Sequence, residues 1–113
     1  MSIDREYCIR LDLQNEVNNS VMKFDSLDEN TSNFKIQVSR ANKLMNLDGI
    51  KGTLYVVDTK NKVHIVEVEN RLEYFYIDLP KELTSTKGFY KCELSMIKDK
   101  KRTTLDSISY EVI

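Results

Sequence analysis

The stretch GFYKCELSMIKD, residues 88–99, decides the fold class of this chain. Tyr90 precedes Cys92 by two residues, as the corner tyrosine precedes the second disulfide cysteine in strand F of an immunoglobulin domain. From Tyr90 to Met96 apolar and polar residues alternate, which is the period of a strand with one buried face. The stretch therefore raises the hypothesis of an immunoglobulin-type recognition domain.

The two cysteines of the chain are not expected to complete that signature with a disulfide. Cys8 shares a polar strand face with Arg10 and Asp12, whereas Cys92 belongs to an apolar face. Side chains on opposite faces of a sheet do not meet. The chain also contains no Trp, which is the other hallmark of the immunoglobulin core.

Alternation of apolar and polar residues recurs along the whole chain and predicts eight short strands. Spacings of about ten residues, with polar turns between them, are typical of a sandwich or barrel. We therefore expect an all-β fold, an antiparallel, immunoglobulin-like β-sandwich of about eight strands, that forms one domain over residues 1–113. The segment LPKELTSTKG has room for one helical turn. The predicted strands cover residues 7–13, 21–24, 34–39, 54–58, 63–68, 73–79, 89–97 and 105–113.

Charge is balanced, with 17 Lys and Arg against 18 Asp and Glu and a net charge of −1. That balance gives no reason to expect DNA, RNA or an anionic membrane as a partner. No apolar run approaches the roughly 18 residues of a membrane-spanning helix, so membrane insertion is not expected. The N-terminal residues lack the basic and apolar regions of a signal peptide, which predicts synthesis in a cytoplasm.

Residues that could carry catalysis are few. His64 is the only histidine and stands between β-branched residues of a predicted strand. With no nucleophile motif near it, we interpret it as an ordinary strand position, packed or facing solvent. A structural zinc site lacks ligands, and no P-loop or dinucleotide motif occurs. The sequence therefore predicts neither an enzyme nor a cofactor.

Two charged loops allow alternative interpretations. Oxygen-bearing side chains crowd residues 25–30, as in a calcium site, although the spacing is not that of an EF-hand and solvated turns contain the same residues. The basic segment KDKKRTT, residues 98–104, offers charges to nucleic acid, but no aromatic platform accompanies it. We interpret both segments as solvated loops.

Tyr74 and Tyr76 are the candidate binding residues. If Phe75, Ile77 and Leu79 face the core, both tyrosines face outward. Exposed paired tyrosines anchor protein interfaces and sugar sites. Tyrosine is also a common strand residue that needs no such role. Both explanations stay open on the sequence.

Six motifs follow one another along nearly the whole chain: LDLQN, FKIQV, NLDG, GTLYVVD, EYFYIDLP and GFYKCELSMIKDKKRTTLDSISYEV. In this order they resemble the N-terminal domain of the phage baseplate upper protein family. The chain departs from the family pattern at EVENRLEYF, residues 67–75, where a glycine is expected before the strand. We expect the sequence to cover that domain and not the following region of the family, either because it is cut to the domain or because it is a short natural version.

The resemblance implies a non-enzymatic structural part of a virion, in the distal tail. Family members dock onto the baseplate core through this domain, and a following region carries the receptor-binding protein. Docking is the function that carries over, with other tail or baseplate proteins as partners and with several copies, as a homo-oligomer, in the virion. A free sheet edge is an expected docking site, by strand addition. The alternative is a carbohydrate-binding or adhesin-like module, in which Tyr74, Tyr76 or the loop 42–52 contacts a host cell-wall sugar.

The immunoglobulin-like start of the stretch at 88–99 then has a simpler explanation. Tyr90 is expected to act as a corner residue, its hydroxyl capping a turn in the segment KELTSTKG. Cys92 is expected to be a small buried apolar residue rather than half of a disulfide. β-Sandwiches in general need to fasten the connection that leads into such a strand, so the corner tyrosine does not by itself indicate an immunoglobulin domain.

Overall fold

The computed structural model describes residues 7–27 and 32–113. Over these residues the fold is nearly all-β, and two mixed sheets pack face to face around one apolar core. The predicted β-sandwich is confirmed.

Ten strands and one turn of 3₁₀ helix, Lys81–Leu83, follow one another along the described chain. The 3₁₀ turn lies in the segment where the sequence left room for a helical turn. The first sheet has the order β1–β3–β8–β7, with β4 beside the end of β3, and the second has the order β2–β10–β9–β5–β6. The strands are β1 Tyr7–Asp12, β2 Met22–Phe24, β3 Asn33–Arg40, β4 Lys43–Leu44, β5 Lys51–Val57, β6 Val63–Glu67, β7 Glu69–Asn70, β8 Phe75–Asp78, β9 Gly88–Lys98 and β10 Lys101–Val112.

Alternation along most of the longer strands places every second side chain in the space between the sheets. On β3, Phe34, Ile36 and Val38 are buried, whereas Lys35 and Gln37 occupy the outer face. Full burial of one such apolar side chain is worth roughly 1.5–3 kcal/mol, so this repeated pattern supplies the main driving force for the two-layer fold. The last strand takes part as expected, because its apolar residues Ile108, Tyr110 and Val112 are all buried.

The structure has ten strands where alternation predicted about eight. The two additional strands, β4 and β7, are each two residues long. A two-residue strand is too short to produce an alternation that sequence reading can recognise. Their presence leaves the core face of each predicted strand unchanged.

Strand direction differs from the expected antiparallel pairing in two places. β1 runs parallel to β3, and β2 runs parallel to β10. A side-chain period of two reports which face a residue occupies, but it carries no information on the direction of the neighbouring strand. The immunoglobulin fold is built from antiparallel sheets, whereas each sheet here contains a parallel pair. The immunoglobulin-like part of the prediction is therefore not confirmed.

The basic segment KDKKRTT forms a tight hairpin instead of the expected seven-residue loop. β9 runs to Lys98 and β10 begins at Lys101, so only Asp99 and Lys100 make the turn. Both residues have positive φ, 51° and 64°. Two left-handed residues in succession match the twist of a hairpin, and this is why the strands continue so far.

The corner predicted for Tyr90 is present. Its hydroxyl donates a hydrogen bond to the carbonyl oxygen of Thr86 at 2.7 Å. Cys8 is exposed, Cys92 is buried, and both are free thiols. Burial raises the pKa of the Cys92 thiol to about 12, so it packs as a protonated, unreactive apolar group.

The buried carboxylate of Asp12 fastens the end of β1 to the turn after β3. These bonds hold the pKa of Asp12 well below its usual range, and the Ser39 hydroxyl is the largest cause. A carboxylate this heavily bonded is a structural group rather than a free acid or base. Its five donors are the Ser39 hydroxyl at 2.6 Å and the backbone N–H groups of Gln14 at 2.9 Å, Asn15 at 3.0 Å, Ala41 at 3.2 Å and Asn42 at 2.7 Å.

Candidate functional site

Tyr74 and Tyr76 lie on the outer face of the first sheet, where the sequence placed them. Phe75 and Ile77 are fully buried in the core, and alternation along β8 turns the neighbouring tyrosines the other way. Both tyrosines are half-buried. Their position agrees with the prediction, and their role as binding residues stays a prediction.

Arg71 lies over both tyrosine rings. Its guanidinium carbon is 4.4 Å from the ring centroid of Tyr76 and 6.0 Å from that of Tyr74. One guanidinium nitrogen donates to the Tyr74 hydroxyl at 3.4 Å, and the other donates to the Glu69 carboxylate at 3.0 Å. The Glu69 carboxylate, and after it the Tyr74 hydroxyl, raise the pKa of Arg71 above its usual value. The cluster thus joins a permanent cation to two aromatic rings.

A second cation contacts the same cluster. The ammonium nitrogen of Lys35 lies 5.1 Å from the ring centroid of Tyr74, within the range of cation–π contacts. Lys35 comes from β3, which pairs with β8 so that Lys35 stands opposite Tyr76. The result is an aromatic patch with a positive rim, which suits a carbonyl or carboxylate partner. We call Lys35, Arg71, Tyr74 and Tyr76 the tyrosine–arginine patch.

Sequence reasoning did not identify Arg71 as part of the site, because it lies between predicted strands. Its N–H donates to the Tyr74 carbonyl at 2.9 Å, and Leu72, inside this turn, has φ of 63°. The turn folds Arg71 back over β8. Leu72 lies in the segment where the family pattern leads one to expect a glycine, and an arginine beside such a turn was the available signal.

His64 is a half-buried residue of β6, in line with the prediction of a plain strand position. Its Nε2 lies 2.8 Å from the Asp58 carboxylate. The other oxygen of Asp58 accepts the N–H groups of Lys60 at 2.8 Å and Lys62 at 2.9 Å. The contact with His64 is the largest cause that lowers the pKa of Asp58 to about 2. The pair therefore closes the β5–β6 turn.

The acidic loop behaves as a solvated turn as far as it is described. Asp25 accepts the N–H of Leu27 at 2.9 Å, which is the local bond expected of such a turn. The other acidic residues of the segment, at 28 and 29, lie outside the described residues. Within residues 7–27 and 32–113, no three His, Cys, Asp or Glu side chains come together as metal ligands. Over the same residues, no helix has the length and apolar character needed to cross a membrane.

Two strand edges on one side of the sandwich are closed by side chains. At the β1 edge, the Asn19 carboxamide accepts the N–H of Arg10 at 3.3 Å and donates to its carbonyl at 2.8 Å. At the β2 edge, the Tyr7 hydroxyl accepts the N–H of Lys23 at 3.2 Å and donates to its carbonyl at 3.1 Å. Each side chain occupies the place that an added strand would take, so neither edge suits docking by strand addition.

Comparison with known proteins identifies a solved structure with a similar fold. No family model matches the chain, and no curated protein matches it. Among solved structures, the N-terminal domain of phage TP901-1 ORF48 is similar, with a TM-score of 0.67 and 16% sequence identity. The match covers 95% of this chain and 97% of that chain. This chain therefore shares, over almost its whole length, the fold of the N-terminal domain of a phage protein.

Proposed function

We propose that this chain is a non-enzymatic structural protein of a phage virion, a docking domain that assembles into the tail baseplate by contacts with other baseplate proteins. The observation that carries the proposal is the fold that it shares with the N-terminal domain of phage TP901-1 ORF48 over 95% of its length. The order of its sequence motifs, which resembles the N-terminal domain of baseplate upper proteins, supports the same role.

The tyrosine–arginine patch supports a role in protein contacts. Tyrosine and arginine, together with tryptophan, are the residue types enriched in the hot spots of protein interfaces. Arg71 is held in place by Glu69 and by the Tyr74 hydroxyl, so little side-chain entropy remains to be lost when a partner docks. We propose that this patch contacts a neighbouring baseplate protein through carbonyl or carboxylate groups.

A carbohydrate-binding module has less support from the same residues. Sugars stack on the open faces of aromatic rings, and here Arg71 and Lys35 already contact those rings. A sugar that stacked on the contacted faces would have to displace Lys35 from Tyr74 or Arg71 from Tyr76. The arrangement therefore favours a protein partner over a cell-wall sugar.

The proposal is tested by mass spectrometry on purified virions of a phage that carries this gene, after separation of heads and tails. We expect the chain in the tail fraction, in several copies per particle. Absence from virions, together with binding to host cell walls, would remove the baseplate role and leave a free binding module.

The contribution of the patch is tested in the same particles with the double variant Tyr74→Ala, Tyr76→Ala. We expect loss of incorporation into tails with a folded domain by circular dichroism. The matched control is Tyr55→Ala on the second sheet, where Arg102 donates to the Tyr55 hydroxyl at 2.8 Å and lies 5.9 Å from its ring. Equal incorporation of both variants would show that docking uses another surface.

A further inference from the structure

The edge of β6 is open, unlike the edges of β1 and β2. β6 is an outer strand of the second sheet and, within residues 7–27 and 32–113, pairs only with β5. The N–H of Asp58 donates to the Lys62 carbonyl at 2.9 Å, which fixes the even-numbered residues of this strand as those whose backbone groups face β5. Backbone direction alternates along a strand, so the groups of Val63, Ile65 and Glu67 point away from β5. Among the described residues, no strand or side chain pairs with them.

Apolar side chains accompany these open backbone groups. Val63 is 57% exposed and Ile65 is 70% exposed. Natural proteins usually protect an edge strand with charge, proline or a covering segment, because an open apolar edge invites another strand. This protein closes the β2 edge of the same sheet with Tyr7 and leaves β6 uncovered. The contrast marks β6 as an edge that is kept for pairing.

Charge along this edge has a direction. Lys60 and Lys62 precede the apolar stretch, and Glu67 and Glu69 stand at its other end. All four side chains are exposed. An identical strand that runs antiparallel brings the basic end of each copy to the acidic end of the other, which is favourable at both ends. A parallel copy would bring like charges together.

We propose that a second copy of this chain occupies the edge, by antiparallel pairing of the two β6 strands about a two-fold axis at Ile65. In this register Val63 pairs with the partner's Glu67, and Ile65 pairs with the partner's Ile65. Three pairs that each exchange two backbone hydrogen bonds give six bonds, and every open group of the strand is used. The second sheet of one copy and the second sheet of the other, each of five strands, thereby join into one continuous sheet of ten strands.

The pairing is expected to be weak in free solution. A contact made by one strand edge falls in the small class of interfaces, below about 1,200 Å² of buried surface, which is typical of transient association. In an assembly that holds several copies close together, the effective concentration strengthens such a contact without any new bond. The inference does not rest on the proposed function, because it concerns two copies of the purified chain.

Sedimentation equilibrium on the purified chain, at concentrations up to about 1 mM, tests the proposal. We expect a reversible dimer. Ile65→Pro removes an N–H that the single copy does not use, so the domain should stay folded while the dissociation constant rises at least about tenfold. The matched control is Phe89→Thr, because Phe89 is similarly exposed, at 63%, but lies on β9 rather than on the edge. Phe89→Thr should leave the dissociation constant unchanged.

Two further measurements locate the contact. Amide hydrogen exchange should become slower with concentration at Val63, Ile65 and Glu67, whereas His64 and Val66 should be protected in the single copy as well. Val63→Lys should tighten the dimer, because its ammonium then lies opposite the partner's Glu67 on the same face of the sheet, and the added change Glu67→Lys should reverse that gain.

Either of two results would overturn the proposal: a monomer at every concentration, or a dimer that Ile65→Pro leaves intact. A monomeric chain whose Ile65→Pro variant fails to enter virions would show instead that the edge accepts a strand from another protein. A dimer in solution with no chain in virions would uphold the pairing and remove the baseplate role.

Discussion

Tyr90 and Tyr110 stack face to face across neighbouring strands, with ring centroids 4.6 Å apart and planes 6° apart. Both hydroxyls donate to carbonyl oxygens of one segment, Tyr90 to Thr86 and Tyr110 to Leu83, each at 2.7 Å. The stacked pair thus ties the β9–β10 hairpin of the second sheet to the connection that arrives from the first sheet. The corner is therefore formed by both tyrosines, and not by Tyr90 alone.

Removal of the Tyr110 hydroxyl should destabilise the domain more than removal of the Tyr90 hydroxyl. Tyr110→Phe leaves the Leu83 carbonyl without a donor at a buried position, at a cost of roughly 1–3 kcal/mol. Tyr90→Phe affects a partly exposed bond and should cost less. Urea unfolding measures both, with Tyr55→Phe as the control: its hydroxyl bond with Arg102 is exposed, so this variant should stay within about 0.5 kcal/mol of the parent. Equal costs for the two variants would contradict the assigned burial of the bonds.

Leu72→Gly should stabilise the domain. Leu72 is exposed and has φ of 63°, a left-handed conformation that costs a non-glycine residue roughly 1–2 kcal/mol. Glycine removes that strain, and part of the gain is offset by its larger freedom in the unfolded chain. We expect a gain of up to about 1 kcal/mol in urea unfolding.

The control for this change is Leu44→Gly. Leu44 is equally exposed, at 56% against 57% for Leu72, but it lies in β4 and is not among the residues with positive φ. Glycine there should lower the free energy of unfolding, because nothing offsets the added freedom of the unfolded chain. A loss at both positions would show that the turn at Leu72 is unstrained.

Stability should fall as the pH drops from about 4 towards 2. The pKa of Asp58 is lowered from 3.8 to about 2 by its bonds in the folded state, and that of Asp12 is also lowered. A carboxyl with a depressed folded pKa stabilises the fold above its unfolded pKa, and this contribution is lost as the pH falls through the folded value. The urea midpoint should be lower at pH 2.5 than at pH 5, and Asp58→Asn should reduce this difference. If the two midpoints of Asp58→Asn differed as much as those of the parent, the Asp58 turn would contribute nothing to the acid sensitivity.

Proline substitutions along β1 should unfold the domain at residues that bond to β3 and be tolerated at the residues between them. Leu13 donates its N–H to the Ser39 carbonyl at 2.8 Å, so Ile9, which has the same direction, bonds to β3, while Arg10 faces Asn19. Ile9→Pro removes a ladder bond and a buried side chain and should unfold the domain. Arg10→Pro removes only the bond to Asn19 and should leave a folded domain. Far-ultraviolet circular dichroism separates the two outcomes, and equal damage by both would show that β1 is not an outer strand.

Much of the sandwich was predictable because burial imposes a period of two on the sequence. The faces of β3, β8 and β10 follow from alternation alone, and so did the outward position of Tyr74 and Tyr76. Cys8 and Cys92 were placed on opposite faces for the same reason, and they are free thiols. The corner at Tyr90 was predictable because a tyrosine two residues before a strand cysteine matches the tyrosine corner of immunoglobulin domains.

The pairing of strands and the tyrosine–arginine patch were not predictable from the same pattern. Two strands with equal periodicity look alike whether they run parallel or antiparallel, so the β1–β3 and β2–β10 pairs could not be read. Arg71 reaches the tyrosines through a turn whose geometry depends on a left-handed Leu72, a conformation that few leucines adopt. The open edge of β6 follows only from hydrogen-bond directions, which the sequence does not contain.

The hydroxyl of Tyr7 has a consequence for how large an assembly of this fold becomes. A sheet that accepts strands at both edges grows without limit, as in a fibre, whereas a sheet with one usable edge stops after a single addition. Two copies joined through β6 end in β2 on both sides, and at each end Tyr7 occupies the backbone groups of Lys23. One tyrosine hydroxyl per copy thereby keeps a self-complementary strand from becoming a seed for polymerisation.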